Sequence, residues 1–143
     1  MVTSVVTKVY VCNNDEYEGD LGHKRELVLI KNAIQNRDIN RRLQIQIKAV
    51  LIEENSYQFN KRKYRYTDHV KLEITDNGTG FDNQYNSYIF GLLNKLSSHS
   101  AGAGLGLALC KQIVSHHYGT ISASSEIGKG TTFLIVLPVS QRE

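Results

Sequence analysis

Between Arg42 and Ile52 the chain reads RLQIQIKAVLI. Leu43, Ile45, Ile47, Ala49 and Leu51 alternate with polar residues until Val50. A helix would scatter these positions around its circumference. A strand places every second side chain on one face, so the run is a strand with one buried side. Val70, Leu72 and Ile74 repeat the pattern, with Lys71, Glu73 and Thr75 facing away. Two such strands commit the chain to a sheet with one apolar face, and that face needs a second layer to cover it.

The remaining segments supply the layer. Val5 to Val11 is β-branched and reads as a first strand. The polar stretch NNDEYEGD follows it as a connector. His23 to about Arg37 is rich in helix formers, with Leu27, Ile30 and Ile34 at spacings of three and four. Gln84 to Leu93 is a candidate short helix, and NKLSSHSA over 94–101 reads as a mobile loop. Leu105 to His117 is a second helix, on which Leu105, Ala108, Leu109 and Ile113 share a face and Gly119 follows as a cap. Thr120 to Ser125 and Thr131 to Val139 are strands joined by the turn EIGKG, and the single proline, Pro138, lies near the end of the last. The expected fold is an α/β (α+β) two-layer sandwich over 1–143: one domain, a mixed β-sheet, and helices packed on one face.

Composition excludes several classes. The 143 residues suffice for one core, and 41% hydrophobic with 22% charged residues is ordinary for a globular domain. A net charge of +3 argues for neither nucleic acid nor membrane. Cys12 and Cys110 form no CxxC, so neither a disulfide framework nor a zinc site is indicated. No apolar run approaches a membrane span and the N-terminus lacks a signal peptide's apolar segment, so a soluble cytoplasmic domain is expected. Lys61, Arg62, Lys63 and Arg65 interleave with Phe59, Tyr64 and Tyr66. Such a patch can bind single-stranded nucleic acid, but the low overall charge favours a solvated hairpin between two paired strands.

Two glycine-rich stretches stand apart. TDNGTGFD, Thr75 to Asp82, sets Asp76 at the end of an apolar run and follows it with Gly78 and Gly80. Taken singly, it reads as a turn. GAGLGL, Gly102 to Leu107, opens the second helix, where unpaired N–H groups and the helix dipole favour phosphate. No Gly-Lys-Ser/Thr follows, so this is not a Walker loop. It also arrives too late in the chain for a Rossmann fingerprint.

In combination, the Asn32–Ala33 pair, DNGTGF, a polar lid, GAGLGLALCKQIVSHHYG and GKGTTFLIVLP resemble the ATP-binding domain of bacterial two-component sensor histidine kinases. That family shares a superfamily, and the Bergerat-type ATP-binding fold, with gyrase, mismatch-repair and heat-shock-chaperone ATPases. The likeness runs from about Leu27 to Pro138. It implies ATP and Mg²⁺ as ligands and transfer of the γ-phosphoryl group to a histidine. Asp76 would accept a hydrogen bond from the adenine amine, a task suited to a carboxylate, which only accepts. Gly78 would support the turn that aims Asp76, and Gly80 would let the backbone lie against the purine. Asn32 would offer its amide oxygen to Mg²⁺, an ion that prefers oxygen ligands. Gly102, Gly104 and Gly106 would form the hinge of an ATP lid over 94–103 and a phosphate cradle. Lys95 would stand near the phosphates, and Phe90, Leu105 and Thr131 complete the implied nucleotide-binding set.

The sequence departs from the family's first-helix pattern. Val28 stands for an Asn, Gln35 for a Lys and Asn36 for an aromatic residue. These positions share the face of Asn32, so the change bears on phosphoryl transfer more than on adenine recognition. Leu93 stands where a second Phe is common. Gyrase-like enzymes use a Glu four residues before the metal-binding Asn as a general base, and Val28 cannot serve so. None of His23, His69, His99, His116 and His117 has the context of a phosphoacceptor. The implied partners are therefore an upstream dimerisation and phosphotransfer domain bearing the histidine, and a response regulator downstream. A membrane would be met only through an upstream sensor region. The competing reading is a non-catalytic nucleotide-binding or protein-interaction module.

Overall fold

The computed structural model describes residues 5–12, 28–56, 65–96 and 104–139. Five strands form one sheet: β1 (Val5–Cys12), β2 (Leu43–Ser56), β3 (Arg65–Asp76), β4 (Thr120–Glu126) and β5 (Gly130–Pro138), in the order β1-β2-β3-β5-β4. Helices α1 (Val28–Gln35) and α2 (Gly106–His116) precede β2 and β4.

The alternation sets the register. Ile45 pairs with Asp76 and Ile47 with Ile74, while Ile74 pairs with Phe133 and Asp76 with Thr131. Directly paired residues lie on one face. One face of the sheet thus carries Ile45, Ile74, Phe133 and Ile135, all buried with Leu29 and Ala33 of α1 and Val114 of α2. The other face carries Thr75, hydrogen-bonded through its hydroxyl to that of Thr132 at 3.0 Å, and the pair Lys71–Glu73 at 3.2 Å. The two-layer sandwich is as expected from the sequence.

Four details differ from the sequence reading. The sheet is antiparallel throughout, not mixed. A helical crossover from β3 through α2 does bring β4 parallel to β3, but β5 turns back through a hairpin and inserts between them. The segment expected as a helix over 84–93 forms two short 3₁₀ turns, Asn83–Tyr85 and Tyr88–Phe90. The core face of α2 is Ala108 and Val114 with Leu107 and Cys110, leaving Leu109 and Ile113 about half exposed. A stripe rotated by one residue was equally periodic in the sequence. On α1, Leu29 and Ala33 lie deepest, with Ile30 and Ile34 at their edge, while Leu27 lies outside the described residues.

The end of α2 is the fourth. Tyr118 N–H donates to Ser115 O and Gly119 N–H to Val114 O, both at 2.9 Å, a Schellman closure whose left-handed residue is Tyr118 (φ 58°) and not Gly119. Gly119 is needed for space instead, since a β-carbon there would sit 2.5 Å from Val136 O. No described helix is long and apolar enough to cross a membrane. Cys110 is free and partly buried, and burial pushes its thiol pKa up, away from reactivity.

Candidate functional site

Asp76 ends β3 with only 6% of its surface exposed. A carboxylate in that position must be paired or hydrogen-bonded. Gly78 N–H donates to Asp76 Oδ1 at 2.8 Å. Burial pushes the Asp76 carboxyl above its ordinary pKa, and the backbone N–H groups of Gly78 and Thr131 pull the other way. Thr131, its cross-strand partner, is also buried.

A short loop, Asn77 to Gly80, aims this carboxylate, and it is fastened on three sides. Asn77 Oδ1 accepts from Gln44 N–H at 2.8 Å, and its Nδ2 donates to Arg42 O at 3.0 Å. Arg41, paired with Asp38, donates to Gly78 O at 3.0 Å. Thr79 donates from N–H and from its hydroxyl to Asn36 O, at 2.9 and 3.2 Å. Gly80 has φ 63°, and a β-carbon there would collide with Glu126 O. Its glycine character is thus required by the β4–β5 hairpin, whose Gly128 N–H donates to Thr79 O at 2.7 Å. Gly78 is equally confined, with Asn36 O 2.5 Å from a β-carbon placed on it.

Ser125 closes the strand-end side. Its hydroxyl donates to Gly130 O at 2.8 Å, accepts from Phe81 N–H at 2.9 Å, and lies 2.9 Å from Thr131 Oγ1. An open pocket of about 230 Å³ lies here, lined by Asp76, Asn83, Ser125, Lys129 and Thr131, but also by Thr75, Thr132 and Ser124 from the opposite face of the sheet. It wraps the strand ends. Neither Asn32 nor Gly106 lines it, so it does not by itself join the residues expected at the adenine to those expected at the phosphates.

Asn32, half-buried on α1, is held by its neighbour one turn on: Asn36 Nδ2 donates to Asn32 Oδ1 at 3.2 Å. Val28 Cγ1 would lie 3.0 Å from a β-carbon on Gly106, so α1 and α2 meet at their first residues. Leu105, exposed, occupies the N-cap of α2 without a side-chain cap bond, and the first turn holds no acidic residue. With no side-chain cap from Leu105, the N–H groups of that turn suit an anion. Gly104 (φ 73°) accepts from Leu93 N–H at 3.1 Å, which joins the two ends of the stretch expected as a lid. Lys95 is exposed beside it. Phe90 is buried, edge-on to Phe133 with centroids 6.3 Å apart and with Lys111 Nζ 5.9 Å from its ring centre. Gly102 and most of the lid, residues 97–103, lie outside the described residues.

Of the residues anticipated from sequence, Asp76, Gly78, Gly80 and Thr131 thus converge at one strand end, and Gly104, Leu105 and Gly106 at the start of α2. Asn77, Ser125 and the carbonyl of Asn36 were missed. Asn77 had a signal in the turn DNG, whereas Ser125 is one serine in a run of small residues. Among the described residues no three His, Cys, Asp or Glu side chains group as a metal site. A metal here would take an amide oxygen and ligands brought by a phosphate-bearing substrate, as Mg²⁺ does.

Residues 27–141 match the family model described as Histidine kinase-, DNA gyrase B-, and HSP90-like ATPase. The chain is 38% identical over 81 residues to cyanobacterial phytochrome A of Nostoc sp., covering 55% of this chain and 11% of that protein. It is 40% identical over 78 residues to the adaptive-response sensory kinase SasA of Synechococcus elongatus, covering 53% and 20%. The solved structure of the mycobacterial sensor histidine kinase MprB matches with a TM-score of 0.55 at 28% identity, over 78% of this chain and 66% of that one. The chain spans a fifth or less of the length of these two curated relatives.

Proposed function

Because the chain belongs to the family of histidine kinase-, DNA gyrase B- and HSP90-like ATPases, we propose that it is the ATP-binding catalytic domain of a sensor histidine kinase. It passes the γ-phosphoryl group of ATP to a histidine on a separate dimerisation domain, from which a response regulator takes it. The observation that carries this reading is Asp76: a buried carboxylate at a strand end, held by the Gly78 N–H, lining the pocket there, with no cationic side chain bonded to it among the described residues. Such a group suits an adenine amine and repels the carbonyl of guanine.

The other residues follow. The first turn of α2, from Gly106 and without a side-chain cap from Leu105, would offer its N–H groups to phosphate. Asn32 Oδ1 would hold Mg²⁺ together with phosphate oxygens and water; the ion, when bound, neutralises phosphate charge. Among the described residues the hydrogen bond from Asn36 engages one of the two lone pairs of this oxygen, which leaves the second for the ion. Lys95 would stand near the phosphates, and Gly104 would serve as part of the hinge that leads into α2. Val28 has no proton-accepting atom and packs against Gly106, so activation of water from that position is unavailable. That favours transfer to a histidine over hydrolysis. The chain's role is positioning: the histidine nitrogen attacks phosphorus, the bond to the β,γ-bridging oxygen breaks, and ADP leaves.

The test mixes the chain with its histidine-bearing domain and labelled ATP. Acid-labile, base-stable label above a His→Gln control is expected. Bound ATP without such label would identify a nucleotide-binding module that does not transfer.

A further inference from the structure

We propose that Asn36 is a positioning residue, which fixes the Asn32 amide with its oxygen presented for Mg²⁺ and ties that amide to the loop that aims Asp76. The inference rests on the reading of Asn32 as the metal ligand. It begins with bonding logic. Asn36 Nδ2 lies 2.8 Å from Asn32 O. A main-chain carbonyl only accepts, so the end of the Asn36 amide pointing at it is the NH₂. The same nitrogen lies 3.2 Å from the side-chain terminus of Asn32, which must then also be an acceptor, Oδ1. The opposite flip would set two donors against each other. One NH₂ group thereby decides which way Asn32 faces, a choice an isolated amide leaves open. An amide oxygen has two lone pairs, and this contact engages one.

The main chain of Asn36 does a second job. Its carbonyl takes both the N–H and the hydroxyl of Thr79. It also crowds Gly78, where a β-carbon would lie 2.5 Å away. Gly78 N–H in turn holds Asp76 Oδ1. A continuous path of hydrogen bonds and close packing thus runs from Asp76 through Gly78 and Thr79 to Asn36, and from its side chain to Asn32. Asn36 is exposed and adds nothing to the core, so its side chain can be removed without opening a cavity. Groups that orient a metal ligand are worth about 10- to 100-fold in metal affinity or activity.

The experiment titrates ATP into the chain with and without MgCl₂ and takes the ratio of affinities as the Mg²⁺-dependent gain. Asn36→Ala and the near-isosteric Asn36→Leu should both lose about 10-fold of that gain, while binding of ATP without Mg²⁺ stays within about twofold. Asn32→Ala should lose as much or more, and adding Asn36→Ala to Asn32→Ala should change nothing further. If Asn32→Ala loses the gain while both Asn36 variants keep it, the positioning role is wrong and the metal role of Asn32 stands. If Asn32→Ala keeps the gain, the metal reading itself fails and takes this inference with it. Equal weakening of ATP binding with and without Mg²⁺ in the Asn36 variants would show a structural role only, and would also overturn it.

Discussion

Gly106 rests on Val28. A β-carbon on Gly106 would stand 3.0 Å from Val28 Cγ1, so the first residue of α2 is fitted to the first residue of α1. Valine is stiff about χ1 and gives little room. Gly106→Ala should therefore gain less from helix propensity than the ordinary ~1 kcal/mol. In a Val28→Ala background the same change should be more favourable, by a coupling of about 0.5–1 kcal/mol. Urea unfolding of the four chains measures it; strict additivity would mean that the two residues do not touch.

Two glycines with similar backbone angles should respond differently to alanine. Gly80 (φ 63°) has Glu126 O where its β-carbon would go, while Gly128 (φ 79°) has nothing within 4 Å. Gly128→Ala carries only the left-handed penalty of about 1–2 kcal/mol. Gly80→Ala must also displace the β4–β5 hairpin, and should cost at least about 1 kcal/mol more, as overpacking typically does. Comparable unfolding midpoints for the two variants would contradict this packing.

The Asp76 carboxyl fixes a sign for pH dependence. Burial raises its pKa in the folded state. Such a group binds protons more tightly folded than unfolded. Its contribution to stability is full below the unfolded pKa and is lost as pH rises through the folded one. Relative to Asp76→Asn, which does not titrate, the parent should lose stability as pH rises from about 4 toward neutrality. Urea midpoints across that range decide it. A parent that gains on the variant as pH rises would show that the pKa is depressed instead.

Much of this was legible in the sequence, for identifiable reasons. Period-two alternation in β2 and β3 fixed strand faces, because a half-buried strand tolerates no slip. Gly78 and Gly80 were visible as a close approach, but their neighbours were not. Both press on the protein's own backbone, at Asn36 and Glu126, contacts about 40 residues away in sequence. The antiparallel order escaped for the same reason: nothing local says that β5 inserts between β3 and β4. The face of α2 was misjudged because Leu105, Leu109 and Ile113 mimic a buried stripe while standing half exposed. Asn36 read as a loss on one helix face, whereas its bonds to Asn32 and Thr79 exist only in three dimensions.

The central claim is that Asp76 reads adenine, and calorimetric titration of the chain with MgATP and MgGTP tests it most directly. The parent should bind ATP at least about tenfold more tightly than GTP, since a buried acceptor left facing the guanine carbonyl loses its hydrogen bond and repels it. In Asp76→Asn, whose amide can both donate and accept, that ratio should shrink toward one. Equal affinities for ATP and GTP in the parent, or an undiminished ratio in the variant, would contradict the account.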